Sequence, residues 1–255
     1  MSALAPVGAP SWFDLMSPEP DAVQAFYSQL FGWDFTPPSG PEMGHYRMAL
    51  HGGKTAAGIG AMQPDMPKSV WSVYLRTEDA EATAEKVTAA GGMVIAPPMD
   101  IPEAGRMAIF ADPGGAVFGV WQNGNHTGAQ IKGEPGSMTW AEVNVPDGAA
   151  ANAFYQAVFG VETRKMDGMD YWTQHLGGND APEFGVLQMT AEWEGVPPHW
   201  MPYFRVADTD AACVTVGEAG GKVCVPAFDT PYGRISVVED PYGATFSIIG
   251  PASGS

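Results

Sequence analysis

The chain has 255 residues, enough for one large or two ordinary domains. Apolar residues make up 45% and charged residues only 16%, a normal globular core under a sparsely charged surface. Twelve Lys and Arg against 29 Asp and Glu leave a net charge of −17, a field that repels phosphate backbones and anionic lipid and so disfavours nucleic-acid and membrane-surface partners.

In chain order, Met1 to Pro10 is small, Pro-containing and expected to be loose. Trp12 to Met16 reads as a strand, with Trp12, Asp14 and Met16 on one face and Phe13 and Leu15 on the other. After the turn Ser17-Pro18-Glu19-Pro20, a helix is predicted over Ala22–Phe31. Val23, Phe26, Tyr27 and Leu30 form its stripe and Gly32 stops it. Strands follow at Trp33–Thr36, His45–Leu50 and Ala56–Met62, the last two joined by Gly52-Gly53. A short connector, Gln63–Ser69, leads to a weaker copy of the same order. It has a strand over Val70–Leu75, a helix over Asp79–Ala90 and a strand over Met93–Ala96. A hairpin of Arg106–Ala111 and Ala116–Gln122 closes it around Asp112-Pro113-Gly114-Gly115. The Gly- and Asn-rich stretch after Gln122 reads as an interdomain linker, 124–136.

The second half repeats the first. Trp12 matches Trp140, Asp14 matches Glu142, Phe26-Tyr27 matches Phe154-Tyr155 and Gly32 matches Gly160, all at an offset of 128. Further on, Tyr46 returns as Tyr171, Arg76 as Arg205, Arg106 as Arg234 and Asp112-Pro113 as Asp240-Pro241. The sequence therefore predicts an α+β fold of two tandem domains, 10–123 and 137–251, each made of two βαβββ modules. Cys213, in a predicted helix, and Cys224, in a predicted strand, are the only cysteines and read as reduced thiols. There is no early Lys or Arg, no apolar leader and no run of ~18 apolar residues, so the expectation is a cytoplasmic protein.

Four such modules resemble the vicinal oxygen chelate superfamily, which includes glyoxalase I, bleomycin-resistance proteins and extradiol dioxygenases. The pieces that carry the resemblance are Phe26-Tyr27-Ser28-Gln29-Leu30-Phe31-Gly32, Phe154-Tyr155-Gln156-Ala157-Val158-Phe159-Gly160, Asp112-Pro113-Gly114-Gly115 and Asp240-Pro241-Tyr242-Gly243. It runs from about Pro10 to Gly250 and is similar in layout to two-domain, glyoxalase-like actinobacterial proteins labelled hydroxylases or secreted antigens. It implies that each pair of modules curls an eight-stranded sheet into a cup, helices outside and ligand inside. Metal-using members take His, Glu or Gln from the first and last strands of their modules. Here the first-strand positions fall on Trp12, Ser72, Trp140 and Met201. The last-strand positions fall on Gly119 and Ser247, and near Ala61 and Gln188 in the first and third modules. Neither domain offers three imidazole or carboxylate donors there, so no metal and no other cofactor is expected.

On the cup-facing phase, Trp12, Tyr74, Trp121, Trp140 and Tyr203 suit a planar or aromatic ligand, as against filling the cup as core. Met16 and Met201 share that phase. Asp14 and Glu142 are the candidate acid/base groups, because burial beside an indole raises a carboxyl's pKa. An ion pair or a solvated position is the competing reading. Arg106 and Arg234 could pair with them, bind a ligand oxygen or serve a turn. Of five scattered histidines, His175 lies well inside a predicted strand and is a candidate ligand contact.

The expectation is a metal-independent protein that binds an apolar or aromatic metabolite, with hydroxylase or lyase chemistry as its enzymatic form. The alternatives are a non-catalytic protein that sequesters an antibiotic or metabolite, and a metal-dependent lyase or dioxygenase. The partner is a small molecule. The two halves are expected to pack as a pseudo-dimer, the chain itself being a monomer or homodimer.

Overall fold

A computed structural model describes residues 4–62 and 68–253. Most of the expected connector Gln63–Ser69 lies outside them. The first half contains β1 (Pro10–Ser17), α1 (Val23–Phe31), β2 (Asp34–Phe35), β3 (Arg47–His51), β4 (Lys54–Ala61), β5 (Val70–Thr77), α2 (Ala80–Ala89), β6 (Met93–Ile101), β7 (Gly105–Ala111) and β8 (Val117–Asn123). The second contains β9 (Met138–Val145), α3 (Gly148–Phe159), β10 (Glu162–Lys165), β11 (Tyr171–His175), β12 (Phe184–Gln188), β13 (His199–Arg205), α4 (Thr209–Glu218), β14 (Lys222–Thr230), β15 (Gly233–Glu239) and β16 (Thr245–Gly250). Two eight-stranded sheets result, in the orders β2-β3-β4-β1-β5-β8-β7-β6 and β10-β11-β12-β9-β13-β16-β15-β14. In each, the two modules meet at their first strands, antiparallel, with Phe13 opposite Val73 in the first sheet and Ala141 opposite Pro202 in the second.

Local signals explain the elements. Asp79, Asp147 and Asp208 cap α2, α3 and α4, each side chain accepting from a backbone N–H three residues on. Gly32 and Gly160 end α1 and α3 at φ 68° and 70°, in the left-handed region where a side chain would be strained. β6 runs five residues past the short strand Met93–Ala96 that the sequence suggests, through Pro97-Pro98, and β14 runs through Pro226 in the same way. Both are edge strands, where a missing N–H breaks no ladder on the open side, and both carry bulges.

The two halves share one core. Phe13, Leu15, Trp33 and Trp71 of the first half pack with Phe204 and Phe246 of the second, and α1 lies against α4 while α2 lies against α3. Two phenols tie them. Tyr27 on α1 donates to Asp240 Oδ2 at 3.0 Å and accepts from Trp71 Nε1 at 2.9 Å. Tyr155 on α3 donates to Asp112 Oδ2 at 3.1 Å and accepts from Trp200 Nε1 at 3.0 Å. Thus the Phe-Tyr helix motif of each half is bonded to the Asp-Pro hairpin motif of the other. The second carboxyl oxygen of each aspartate accepts from the hairpin backbone, at Ala116 and at Tyr242 and Ala244.

The N-terminal segment, expected to be loose, is held where it is described, and so is the linker. Gly8 N donates to Arg76 O and Arg76 N to Ala9 O, while Gly8 presses on Phe159 so closely that a Cβ would sit 2.9 Å from its Cβ. Residues 124–136 are stitched down by Ala129 N to Ser11 O, Lys132 Nζ to Pro10 O and Trp33 Nε1 to Gly136 O. Both cysteines are free. Among the described residues, no helix is long and apolar enough to cross a membrane.

Tyr27→Phe leaves Trp71 Nε1 and Asp240 short of a buried partner, and Tyr155→Phe does the same to Trp200 and Asp112. Each should cost about 1–3 kcal/mol in urea unfolding. Because the core is shared, both halves should melt in one transition by calorimetry and fluorescence; two separated transitions would contradict the shared core.

Candidate functional site

Alternation along β1 sends Phe13 and Leu15 into the shared core and Trp12, Asp14 and Met16 to the opposite, cup face. β5 faces them with Tyr74 opposite Trp12 and Ser72 opposite Asp14. Trp121 from β8, with Met107 and Ile109 from β7, completes the apolar lining. Tyr46, just before β3, reaches in over Gly58: a Cβ at Gly58 would lie 1.7 Å from the Tyr46 hydroxyl. Trp12 Nε1 donates to Tyr46 Oη at 2.8 Å, and Tyr46 Oη donates to Asp14 Oδ2 at 3.4 Å. Among the described residues Asp14 Oδ1 makes no hydrogen bond of good geometry, although the Tyr74 and Ser72 hydroxyls also act on the carboxyl.

The second cup repeats this cluster. Trp140 Nε1 donates to Tyr171 Oη at 3.0 Å, Tyr171 sits over Gly185 in the same way, and Tyr203 Oη donates to Glu142 Oε1 at 2.8 Å. Met201 and Ile249 flank Tyr203. Each cup therefore holds a carboxyl with two phenols, one of them anchored by an indole. Asp14 is 4% exposed and Glu142 7%. Desolvation dominates both. It pushes Asp14 up to about 7 against the lowering effect of its hydroxyl partners, and it raises Glu142 as well. The same burial raises the phenols Tyr46, Tyr74 and Tyr203, so they stay protonated donors.

Arg106 and Arg234 are not part of these clusters. Register puts Met107 beside Trp121 on the cup face and turns Arg106 to the outer face, where it pairs with Glu81 and with Asp100 at 3.0 Å. Arg234 is bidentate to Asp210 at 2.8 and 2.9 Å and close to Asp229. His175 is buried at the far end of β11, held by Thr173 Oγ1 and Asn179 O, where it pins the following turn. Tyr46 and Tyr171 were not picked out as site residues, although they recur between the halves and carry the hydroxyls that reach the carboxyls. His126 was also missed. It comes from the linker and packs edge-on against Trp12 at 4.3 Å and Trp121 at 5.3 Å, and burial lowers its pKa to about 4.

The register also corrects the positions that would hold a metal. The residues across from Asp14, Tyr74, Glu142 and Tyr203 are Gly58, Gly119, Gly185 and Ser247, so Gly58 and Gly185 stand where Ala61 and Gln188 were expected. With Trp12, Ser72, Trp140 and Met201 these eight offer indoles, hydroxyls, a thioether and bare glycine. That donor set does not suit a divalent ion. Among the described residues no three His, Cys, Asp or Glu are grouped to hold one.

Comparison with known proteins fits this geometry. Residues 12–121 match the family described as glyoxalase-like domain, and residues 128–248 match the glyoxalase/bleomycin resistance protein/dioxygenase superfamily. The anthracycline biosynthesis protein DnrV of Streptomyces peucetius is 40% identical over 98% of this chain and 95% of that protein. A Mn(II)-bound glyoxalase from Novosphingobium aromaticivorans shares the fold, with a TM-score of 0.67 at 17% identity over 97% of this chain and 83% of that one. The 2,3-dioxygenase LapB from Pseudomonas sp. KL28 does so with a TM-score of 0.64 at 13% identity, over 98% and 94%.

A raised carboxyl pKa has a signed effect on stability. With Asp14 at about 7 folded against 3.8 as its ordinary value, the folded chain holds a proton that the unfolded chain releases between these limits. Stability from this group is thus full at low pH and is lost as pH rises through that window. Asp14→Asn abolishes the dependence. In urea melts the variant should gain on the wild type as pH rises from 3.8 to about 7, by up to a few kcal/mol at about 1.4 per pKa unit, with no further gain above that. A difference that does not change with pH would contradict the burial argument.

Proposed function

The chain belongs to the glyoxalase/bleomycin resistance protein/dioxygenase superfamily, and from that premise we propose that it binds a planar, largely apolar or aromatic metabolite against a cup face and needs no metal to do so. The observation that carries this reading is the repeated cluster of indole, phenol and protonatable carboxyl. Indoles and phenols offer flat apolar area with polar edges. A carboxyl near 7 is present in both protonation states at neutral pH, which suits a group that gives a proton to a ligand ketone or takes one from a ligand hydroxyl. The neighbouring phenols then donate to whichever oxygen becomes negative. Asp14 and Glu142 are the proton-exchange groups in this reading, and Trp12, Tyr74, Trp140 and Tyr203 position the ligand. The similarity to a protein named for anthracycline biosynthesis supports a polycyclic, oxygenated aromatic as the ligand class and secondary metabolism as the setting, with hydroxylase or lyase chemistry as the enzymatic form.

A sequestering role is the second reading. One observation favours it: the phenols around each carboxyl are already held by indole and carboxyl partners, Trp12 to Tyr46 to Asp14 in one cup, Trp140 to Tyr171 and Tyr203 to Glu142 in the other, as in a fixed binding surface.

Incubation with hydroxylated anthraquinones, followed by mass spectrometry of ligand and product, separates these readings. Under the catalytic reading, Asp14→Asn or Glu142→Gln keeps binding and lowers turnover by roughly 10²–10⁴ in whichever cup is used. Exhaustive chelation should leave both binding and turnover unchanged. Turnover that requires an added divalent ion would overturn metal independence, and binding without any product would leave the sequestering reading.

A further inference from the structure

The two cups share one plan but differ at one register position. Along β9 the cup face carries Trp140, Glu142 and Asn144, and along β13 it carries His199, Met201 and Tyr203. Asn144 stands directly opposite His199. In the first half the same places are taken by Met16 opposite Val70. An apolar pair in one cup is thus an amide and an imidazole in the other.

The hydrogen bonds of this pair fix its orientation. His199 Nδ1 lies 2.8 Å from Pro197 O, which can only accept, so Nδ1 carries the proton and Nε2 is an acceptor. Asn144 Nδ2 lies 3.1 Å from Nε2 and donates to it. Burial lowers the His199 pKa and so favours this neutral form. The amide oxygen is thereby turned away from the imidazole. Asn144 is 1% exposed, and its Oδ1 is buried with no hydrogen-bond partner among the described residues. A native structure rarely leaves such an acceptor empty unless a ligand or water fills it.

Access differs between the cups as well. Gly124 N and His126 N bond to Ala104 O, Ala129 N bonds to Ser11 O, and between these anchors His126 covers Trp12 and Trp121. In the second cup Trp140 remains partly exposed, whereas its counterpart Trp12 is buried. A cavity of about 380 Å³ opens just past the end of β9 and before the start of β13, next to the Asn144–His199 pair in sequence and lined by Pro146, Met189, Trp193, Val196 and Pro198 among others. The Trp193 ring lies 6.3 Å from His199. The volume is in the range of small-molecule pockets.

We infer that the C-terminal cup is the one that accepts the ligand, and that Asn144, oriented by His199, selects ligands bearing a phenol or enol hydroxyl beside an apolar ring. The inference rests on the binding function proposed above and adds which cup is used and what it recognises. The ligand hydroxyl donates to Asn144 Oδ1. Glu142, two residues back on the same face and so about 7 Å along the strand, meets a second oxygen on the same edge of a fused ring system. His199 is a positioning residue: without it the amide can rotate and offer its NH₂ instead.

Calorimetric titration of the full chain with anthraflavic acid, which has free phenols, and with unsubstituted anthraquinone tests this. The wild type should bind one anthraflavic acid per chain and prefer it by about tenfold, the equivalent of one hydrogen bond. Asn144→Met, which copies the first cup, should bring the two affinities to within about twofold. Asn144→Asp keeps the acceptor and should keep the preference. His199→Val should reduce the preference while leaving anthraquinone affinity unchanged, which general unfolding of the site would not do. An unchanged preference in Asn144→Met, or two molecules bound per wild-type chain, would overturn the inference and leave the binding function standing. Failure of the wild type to bind either probe would overturn both.

Discussion

Two buried phenol–carboxyl bonds determine how the rest of the molecule can be used. Tyr27 reaches Asp240 and Tyr155 reaches Asp112, each crossing from the helix of one half to the hairpin of the other. With Trp71 and Trp200 donating to the same hydroxyls, every polar atom in these crossings lies in a dry core, where a missing partner is expensive. The crossings fasten the inner face of each sheet to the opposite half. Strand alternation then leaves only the other face, with its Trp, Tyr and carboxyl side chains, for a ligand.

On that cup face the balance is between space and charge. Gly58 and Gly185 lie where any side chain would collide with a tyrosine hydroxyl, and a Cβ at Gly119 would lie 2.3 Å from the Tyr74 ring. At these register positions the chain carries glycine, and aromatic side chains are packed into the room. The carboxyls that remain are shielded from water but face phenols, not cations. Desolvation therefore outweighs hydrogen bonding, and their pKa values rise. The two cups then diverge. His126 covers the indoles of the first, while an amide and an imidazole replace a thioether and a valine in the second.

The duplicated order of strands and helices was legible because it rests on local signals: the apolar stripe of α1, the terminal glycines and the alternation of β1. The cup phase of Trp12, Asp14, Trp140 and Glu142 followed from the same alternation. Tyr46 and Tyr171 were visible as a repeated pair, but only folding brings them over Gly58 and Gly185 from a neighbouring strand. Arg106 and Arg234 sat one residue out of the cup phase, so their carboxylate partners came from the helices and edge strands away from the cup, Glu81 and Asp100 for one, Asp210 and Asp229 for the other. The cross-half bonds of Tyr27 and Tyr155 join residues 213 and 43 positions apart, beyond the reach of any local pattern. The linker was legible as a connecting segment from its loop-like composition. Its anchoring depends on backbone groups of β1, β4 and β13 that composition cannot reveal.

The account depends on carboxyls that are buried, paired with phenols and free of any cation. Carbon NMR of the side-chain carboxyls, titrated with pH and assigned through Asp14→Asn and Glu142→Gln, observes this directly. The account predicts that the Asp14 carboxyl titrates with a midpoint near 7 and that Glu142 titrates above its ordinary value. An Asp14 midpoint at the ordinary 3.8 or below, as beside a cation or in open water, would contradict it.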